Sequence, residues 1–198
     1  MYTLLKPIQV REELLKRNLR IFTAQDFIRI YKIPSYSVKY FLETQVKKGL
    51  FLRLKRGIYT LKTDIPFEEE IANALYKPSY ISFEYALAYY NLIPEMVYTV
   101  TSATTKPTRL FDISGRAFSY RTIKKEVFTG YFLKKIENKS YLIAEKEKAL
   151  IDYLYFVSLD KSSYNDRLET KGLDKKKVIF YASLFKNKKL EKLVRDLL

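Results

Sequence analysis

The 198-residue sequence predicts an α+β fold in two parts: a small helical domain closed by a basic hairpin, then a mixed helix and antiparallel-sheet domain with C-terminal helices. Three observations carry this. Residues 23–62, TAQDFIRIYKIPSYSVKYFLETQVKKGLFLRLKRGIYTLK, read without interruption as helix, turn, helix and hairpin. Beyond residue 97 the strand-like segments follow one another instead of alternating with helices, the pattern of an antiparallel sheet. Charge is also uneven, because residues 1–62 hold 8 Lys and 6 Arg against 4 acids, a net of +10 out of +15 for the chain.

In chain order, Ile8 to Leu19 puts Ile8, Val10, Leu14, Leu15 and Leu19 on roughly one face of a first helix. Arg11, Lys16, Arg17 and Arg20 line its other side, either in solvent or against phosphates. Thr23, followed three residues later by Asp26, is a helix-start capping pattern, since each side chain can satisfy backbone N–H groups at the entry. Phe27, Ile28 and Tyr31 follow at helical spacing, and Ile33-Pro34 ends the helix because a residue before proline is pushed out of the α region. A second helix starts at Ser35 or Ser37 and buries Val38, Phe41, Leu42 and Val46, leaving Tyr36, Ser37, Lys39, Tyr40, Glu43, Thr44 and Lys47 facing out. It ends at Lys48-Gly49. Leu50 to Lys55 is a strand with Leu50, Leu52 and Leu54 on one face and Phe51, Arg53 and Lys55 on the other. Arg56-Gly57 is the turn and Ile58 to Leu61 the return strand.

A helix pair followed at once by a basic-tipped hairpin is a winged helix-turn-helix, in which one helix enters a DNA groove and the hairpin straddles the adjacent backbone. The outer face of the second helix fits that role. Hydroxyls and tyrosines can donate to phosphates or base edges, lysines neutralise phosphate, and a single carboxylate is present. The candidate DNA-binding residues are Ser35, Tyr36, Ser37, Lys39, Tyr40 and Lys47 on the helix, with Arg53, Lys55 and Arg56 in the wing. One wing and one groove helix give limited specificity, so two copies on a repeated site, from a monomer in solution, are expected.

The domain boundary is placed between residues 63 and 64, where Asp64-Ile65-Pro66 opens a new helix with Asp64 as its cap, Pro66 in its first turn and Glu68, Glu69 and Glu70 at its positive end. Domain one is then 1–63 and domain two 64–198. Within the second, Phe67, Ile71, Ala74 and Leu75 form a helical stripe and Ser82 to Asn91 a second helix. Val97 to Thr104, Ala117 to Ile123, Gly130 to Ile136 and Ser140 to Ala144 read as strands, with a loop through Lys106-Pro107 and a turn at Glu137-Asn138-Lys139. Ala149 to Val157 is an apolar helix, Ser158 to Gly172 irregular, and Asp174 to Leu198 one or two amphipathic helices. Lys106, Arg109 and Arg121 are the candidates for a basic patch on this domain.

The chain has no cysteine and no histidine, which removes disulfides, thiolate nucleophiles, His-metal sites and Ser-His catalysis. No catalytic residue, metal ligand or cofactor site is assigned. Asp112 with Glu137-Asn138-Lys139 superficially fits the acid and acid-x-lysine pattern of a Mg²⁺-dependent nuclease, but that Glu-Asn-Lys falls on an expected turn. No apolar run approaches 18 residues and residues 1–22 lack a leader-type apolar core, so a cytoplasmic protein is expected. The readings left beside a DNA-binding regulator with some other effector domain are therefore the nuclease and the one that follows.

The phrases PSYISFEYALAYYNLIPEMVYTVTSATTKPTRLF, FSYRTIKKEVFTGY and AEKEKALIDYLY, in that order, resemble the antitoxin domain of the AbiEi family, and the winged helix closing on RGIYTL resembles that family's N-terminal domain. The resemblance spans Thr23 to about Phe156. It implies a type IV toxin-antitoxin antitoxin whose first domain binds inverted repeats in double-stranded DNA upstream of its own operon and represses it. It further implies that the second domain counters a nucleotidyltransferase-like toxin of the AbiEii type without a stable complex being required; the basic patch of Lys106, Arg109 and Arg121, read from the residues, is the candidate surface. Ala144-Glu145-Lys146-Glu147-Lys148 departs from the family, whose members often carry a serine or threonine and a proline before the Glu-Lys.

Overall fold

A computed structural model describes residues 5–137 and 139–198 of the chain, which forms two compact units. The first runs to Leu75 and takes in Glu137 and Lys139; the second comprises Tyr76–Ile136 and Ser140–Leu198.

The first unit contains α1 (Pro7–Lys16), β1 (Ile21–Thr23), α2 (Ala24–Tyr31), α3 (Ser35–Lys47), β2 (Phe51–Lys55), β3 (Ile58–Leu61) and α4 (Glu68–Leu75). Thr23 forms the expected reciprocal cap: its backbone N–H donates to Asp26 at 2.8 Å while its Oγ1 accepts from the Asp26 N–H at 3.3 Å. Lys32 ends α2 in the left-handed conformation, and Pro34 sets the extended entry to α3. Thr23 is also the last residue of β1, a strand absent from the sequence reading, which pairs antiparallel with β3 in the order β1-β3-β2. Phe22, Phe27, Phe41 and Phe51 meet at the centre, with ring centroids 5.1 Å apart for Phe22 and Phe51 and 6.1 Å for Phe27 and Phe41.

Two local expectations are corrected here. The first helix stops at Lys16, with Asn18 in a left-handed conformation, so only Val10 and Leu14 are buried while Ile8 and Leu15 are exposed. Val10 and Leu14 stand one turn apart, and Ile8 and Leu15 fall off their stripe. In β2, Phe51 and Leu54 are buried rather than an alternate leucine series: Phe51 packs into the aromatic core, and the register shift with β3 between Arg53 and Lys55 lets Leu54 be buried as well. Such a bulge inserts one residue and re-aims those that follow it.

Asp64 does not cap α4. Its carboxylate accepts from Arg20 at 3.0 Å, and the same guanidinium donates to Glu70 at 2.7 Å, so Arg20 lies largely buried in an acidic cleft rather than on a solvent face. Lys55 Nζ donates to the Leu75 carbonyl at 2.9 Å at the end of α4. The first unit thus includes α4.

The second unit contains β4 (Ser79–Ile81), α5 (Phe83–Tyr89), β5 (Val100–Thr104), β6 (Arg109–Ile113), β7 (Arg116–Thr122), a 3-10 turn (Lys125–Val127), β8 (Tyr131–Ile136), β9 (Lys139–Ala144), α6 (Lys146–Ser158), α7 (Lys175–Leu184) and α8 (Lys188–Leu197). The α+β class is as expected, and 159–172 is irregular. The six-stranded sheet has the order β6-β7-β5-β4-β9-β8 and is mixed. The β6–β7 hairpin folds back so that β7 lies between β6 and β5, antiparallel to the first and parallel to the second; β4 and β9 are also parallel. Helix α6 is buried along most of its length and packs against α5, α7 and α8. Of the expected turn at residues 137–139, Asn138 lies outside the described residues.

Candidate nucleic-acid interface

Helix α3 is built by its own pattern. Val38, Phe41 and Leu42 anchor α3 in the aromatic core, and Gln45 is buried with them. Ser35, Tyr36, Lys39, Tyr40, Glu43 and Lys47 are exposed, Ser37 and Thr44 half-buried. Tyr36 and Tyr40, one turn apart, are 68% and 74% exposed, far more than large aromatics need to be on a folded surface. They border a groove of about 520 Å³ lined also by Pro34, Ser37, Thr44 and Lys48. No acid stands in the first turn of α3, so its positive end is uncompensated by the protein.

The wing tip turns at Gly57, whose φ of 83° a side-chain-bearing residue adopts only with strain. Arg53 and Arg56 are exposed beside it. Among the described residues, none of the side chains of Tyr36, Lys39, Tyr40, Glu43, Lys47, Arg53 and Arg56 has a hydrogen bond or ion pair. Lys55 differs from the other candidates. It is half-buried, the bulge precedes it, and its ammonium is held by the Leu75 carbonyl.

The basic candidates of the second unit separate into two places. Lys106 and Arg109 stand over the Tyr76 ring at 5.5 and 5.7 Å, and Tyr76 donates to the Pro107 carbonyl at 3.1 Å. Arg109 is the cross-strand partner of Tyr120, so Arg121, the next residue of β7, points to the opposite face of the sheet. There it donates to Glu84 at 2.9 Å and packs over the rings of Phe83 and Phe156 at 4.9 and 5.6 Å. Lys106 and Arg109 are exposed; Arg121 is half-buried.

Asp112 accepts from the Gly115 N–H at 3.2 Å and so closes the β6–β7 turn. Among the described residues, no three acidic side chains come together as metal ligands would.

With this geometry in view, the family comparison bears on one region. Residues 12–62 match the family of transcriptional regulators described as AbiEi antitoxin. In this segment the chain is similar to AbiEi antitoxins. The match takes in α2, α3 and the whole wing, the elements that carry every candidate DNA contact. No curated protein matches the chain. Among the described residues, no helix is long and apolar enough to cross a membrane.

One polar site escaped the sequence reading. Asp152 on α6 accepts from Tyr80 at 2.9 Å, from Ser82 at 2.8 Å and from Lys148, with Lys148 and Asp152 both fully buried. Burial pushes the Lys148 ammonium below its usual range, and the adjacent Asp152 carboxylate opposes that shift. A signal existed: Lys148 and Asp152 are the two charges inside the run KALIDYLY, four apart on one helix face.

Proposed function

We propose that this protein is a transcriptional autorepressor and antitoxin: α3 enters the major groove of inverted repeats upstream of its own operon, the wing grips the flanking backbone, and two copies share one operator. The observation that carries the reading is the unpaired basic, hydroxyl and aromatic face of α3 with Arg53 and Arg56 in the wing, inside the segment that matches the AbiEi family. Cations with no partner in the protein are available to displace counterions from phosphate. Lys39, Lys47, Arg53 and Arg56 position the helix, while Ser35, Tyr36, Ser37 and Tyr40 meet sugar, phosphate and base edges. Lys55 supports the wing from within and approaches the backbone only if its bond to Leu75 opens.

The second unit counters a nucleotidyltransferase-like toxin, with Lys106 and Arg109 over Tyr76 as the contact surface; no stable complex is required. The protein acts in the cytoplasm. Fluorescence anisotropy of the whole chain on its own upstream duplex and on a scrambled duplex, across a salt series, tests the DNA-binding half. A clear preference for the upstream duplex supports it. Equal binding to both, falling together with salt, reduces the basic face to a general polyanion surface.

A further inference from the structure

The outer face of α3 holds one group that a DNA-binding surface ought to avoid. Glu43 is the only carboxylate of the helix, is exposed, and among the described residues pairs with nothing, whereas Glu13 and Asp26 in the same unit are tied to Arg17 and Arg29. At 100° per residue it lies between the Tyr36 and Lys39 directions, in the middle of the face that carries Tyr40 and Lys47. Lys39 precedes it by one turn and Lys47 follows it by one turn. Neither lysine closes an ion pair on it.

An acceptor-only side chain is repelled by phosphate and by most of the major-groove edge, where guanine N7 and O6, adenine N7 and thymine O4 are all acceptors. Two amino groups reward it. Adenine N6 lies beside the N7 acceptor, which repels the second carboxylate oxygen, so cytosine N4 is the edge that remains. Lys39 and Lys47, one turn to either side, would neutralise the phosphates flanking that base and lower the cost of bringing a carboxylate into the groove.

We infer that Glu43 reads a cytosine in each half of the operator, an inference that rests on the DNA-binding reading above. Glu43 is then a specificity residue, subtracting general affinity and adding discrimination at one base pair.

Selection of sites from a randomised duplex pool tests this, using the full chain, Glu43→Gln and Glu43→Ala, with thermal melts to verify equal folding at this exposed position. The unaltered protein is expected to enrich sites with one C·G pair per half-site that it prefers by roughly tenfold or more over other pairs at that position. Glu43→Gln should exchange that preference for A·T, because an amide matches adenine N6 and N7, and Glu43→Ala should lose it while keeping the rest of the site. If both variants enrich the same site as the parent, or Glu43→Ala tightens all duplexes equally with no position lost, the inference is overturned while the DNA-binding reading stands. If the parent itself enriches no site, both fall together.

Discussion

Lys148 donates its ammonium to the Asp152 carboxylate from one helical turn away, and neither side chain reaches solvent. The two ends of this pair are not equivalent. Asp152 also accepts from Tyr80 and Ser82, so its removal strands a buried cation and two hydroxyls, while removal of Lys148 leaves the carboxylate with two donors. Asp152→Ala is therefore expected to cost about 3–5 kcal/mol, the usual penalty for breaking a buried pair, and Lys148→Met distinctly less. Urea midpoints at unchanged slope measure both; equal losses would contradict the asymmetry.

Alkaline pH should unfold the protein through its tyrosines. Burial raises the hydroxyl pKa of Tyr80, Tyr90 and Tyr120 well above 10, and the Asp152 carboxylate adds to the effect at Tyr80. In the unfolded chain these hydroxyls ionise near the ordinary tyrosine value of about 10, so the folded state holds more protons above that pH. Their contribution is complete below about pH 10 and is lost as pH climbs toward the raised folded values. Lys148, with its lowered pKa, acts in the opposite direction, favouring the fold as pH rises toward its ordinary value of about 10.4. Tyrosinate absorbance should show a late group, Tyr80, Tyr90 and Tyr120, that appears only with loss of near-ultraviolet ellipticity. A single smooth titration of all 18 tyrosines in the folded state would exclude this account.

In the wing, Arg56 and Lys55 should part company. Arg56→Ala is expected to reduce the slope of log affinity against log salt by about one, as befits one phosphate contact, with stability unchanged. Lys55→Met should leave the slope nearly intact and lower stability by about 1–2 kcal/mol, since the Leu75 carbonyl loses its charged donor. Parallel salt titrations and thermal melts distinguish the two outcomes.

On the second unit, Lys106→Glu with Arg109→Glu should abolish protection in co-expression with the cognate toxin while operator binding and melting temperature hold. Arg121→Ala is expected to act through folding instead, because it removes the partner of Glu84 and a cation packed on Phe83 and Phe156. If the Lys106 and Arg109 double variant still protects fully, that patch plays no part in countering the toxin.

Much of this architecture was legible in the residues, and the exceptions have physical causes. The Thr23 and Asp26 cap, the break at Pro34 and the turn at Gly57 are local, so sequence spacing alone sets them. Strand β6 has no counterpart in the sequence reading because an edge strand has little burial pattern to show, and Leu110 in it is 68% exposed. The bulge in β2 breaks the alternation that puts Leu54 on the face opposite Phe51, so that both are buried. Parallel pairing of β5 with β7 depends on where a hairpin folds back, which no window of sequence records. At the candidate sites, exposure of Tyr36, Tyr40, Arg53 and Arg56 followed from periodicity, whereas the capture of Lys55 by Leu75 and of Arg121 by Glu84 needed residues 20 and 37 positions away.

The knot of hydroxyls around Asp152 also bears on the order in which a ribosome can deliver this protein. Tyr80 and Ser82 find their acceptor 72 and 70 residues downstream, so the second unit's centre stays open until α6 has emerged. The aromatic core of the first unit draws on residues up to Leu61 and is complete long before that. During synthesis α3 and the wing can thus stand folded while half the chain is still to be made, and the first unit is assembled earlier than the second.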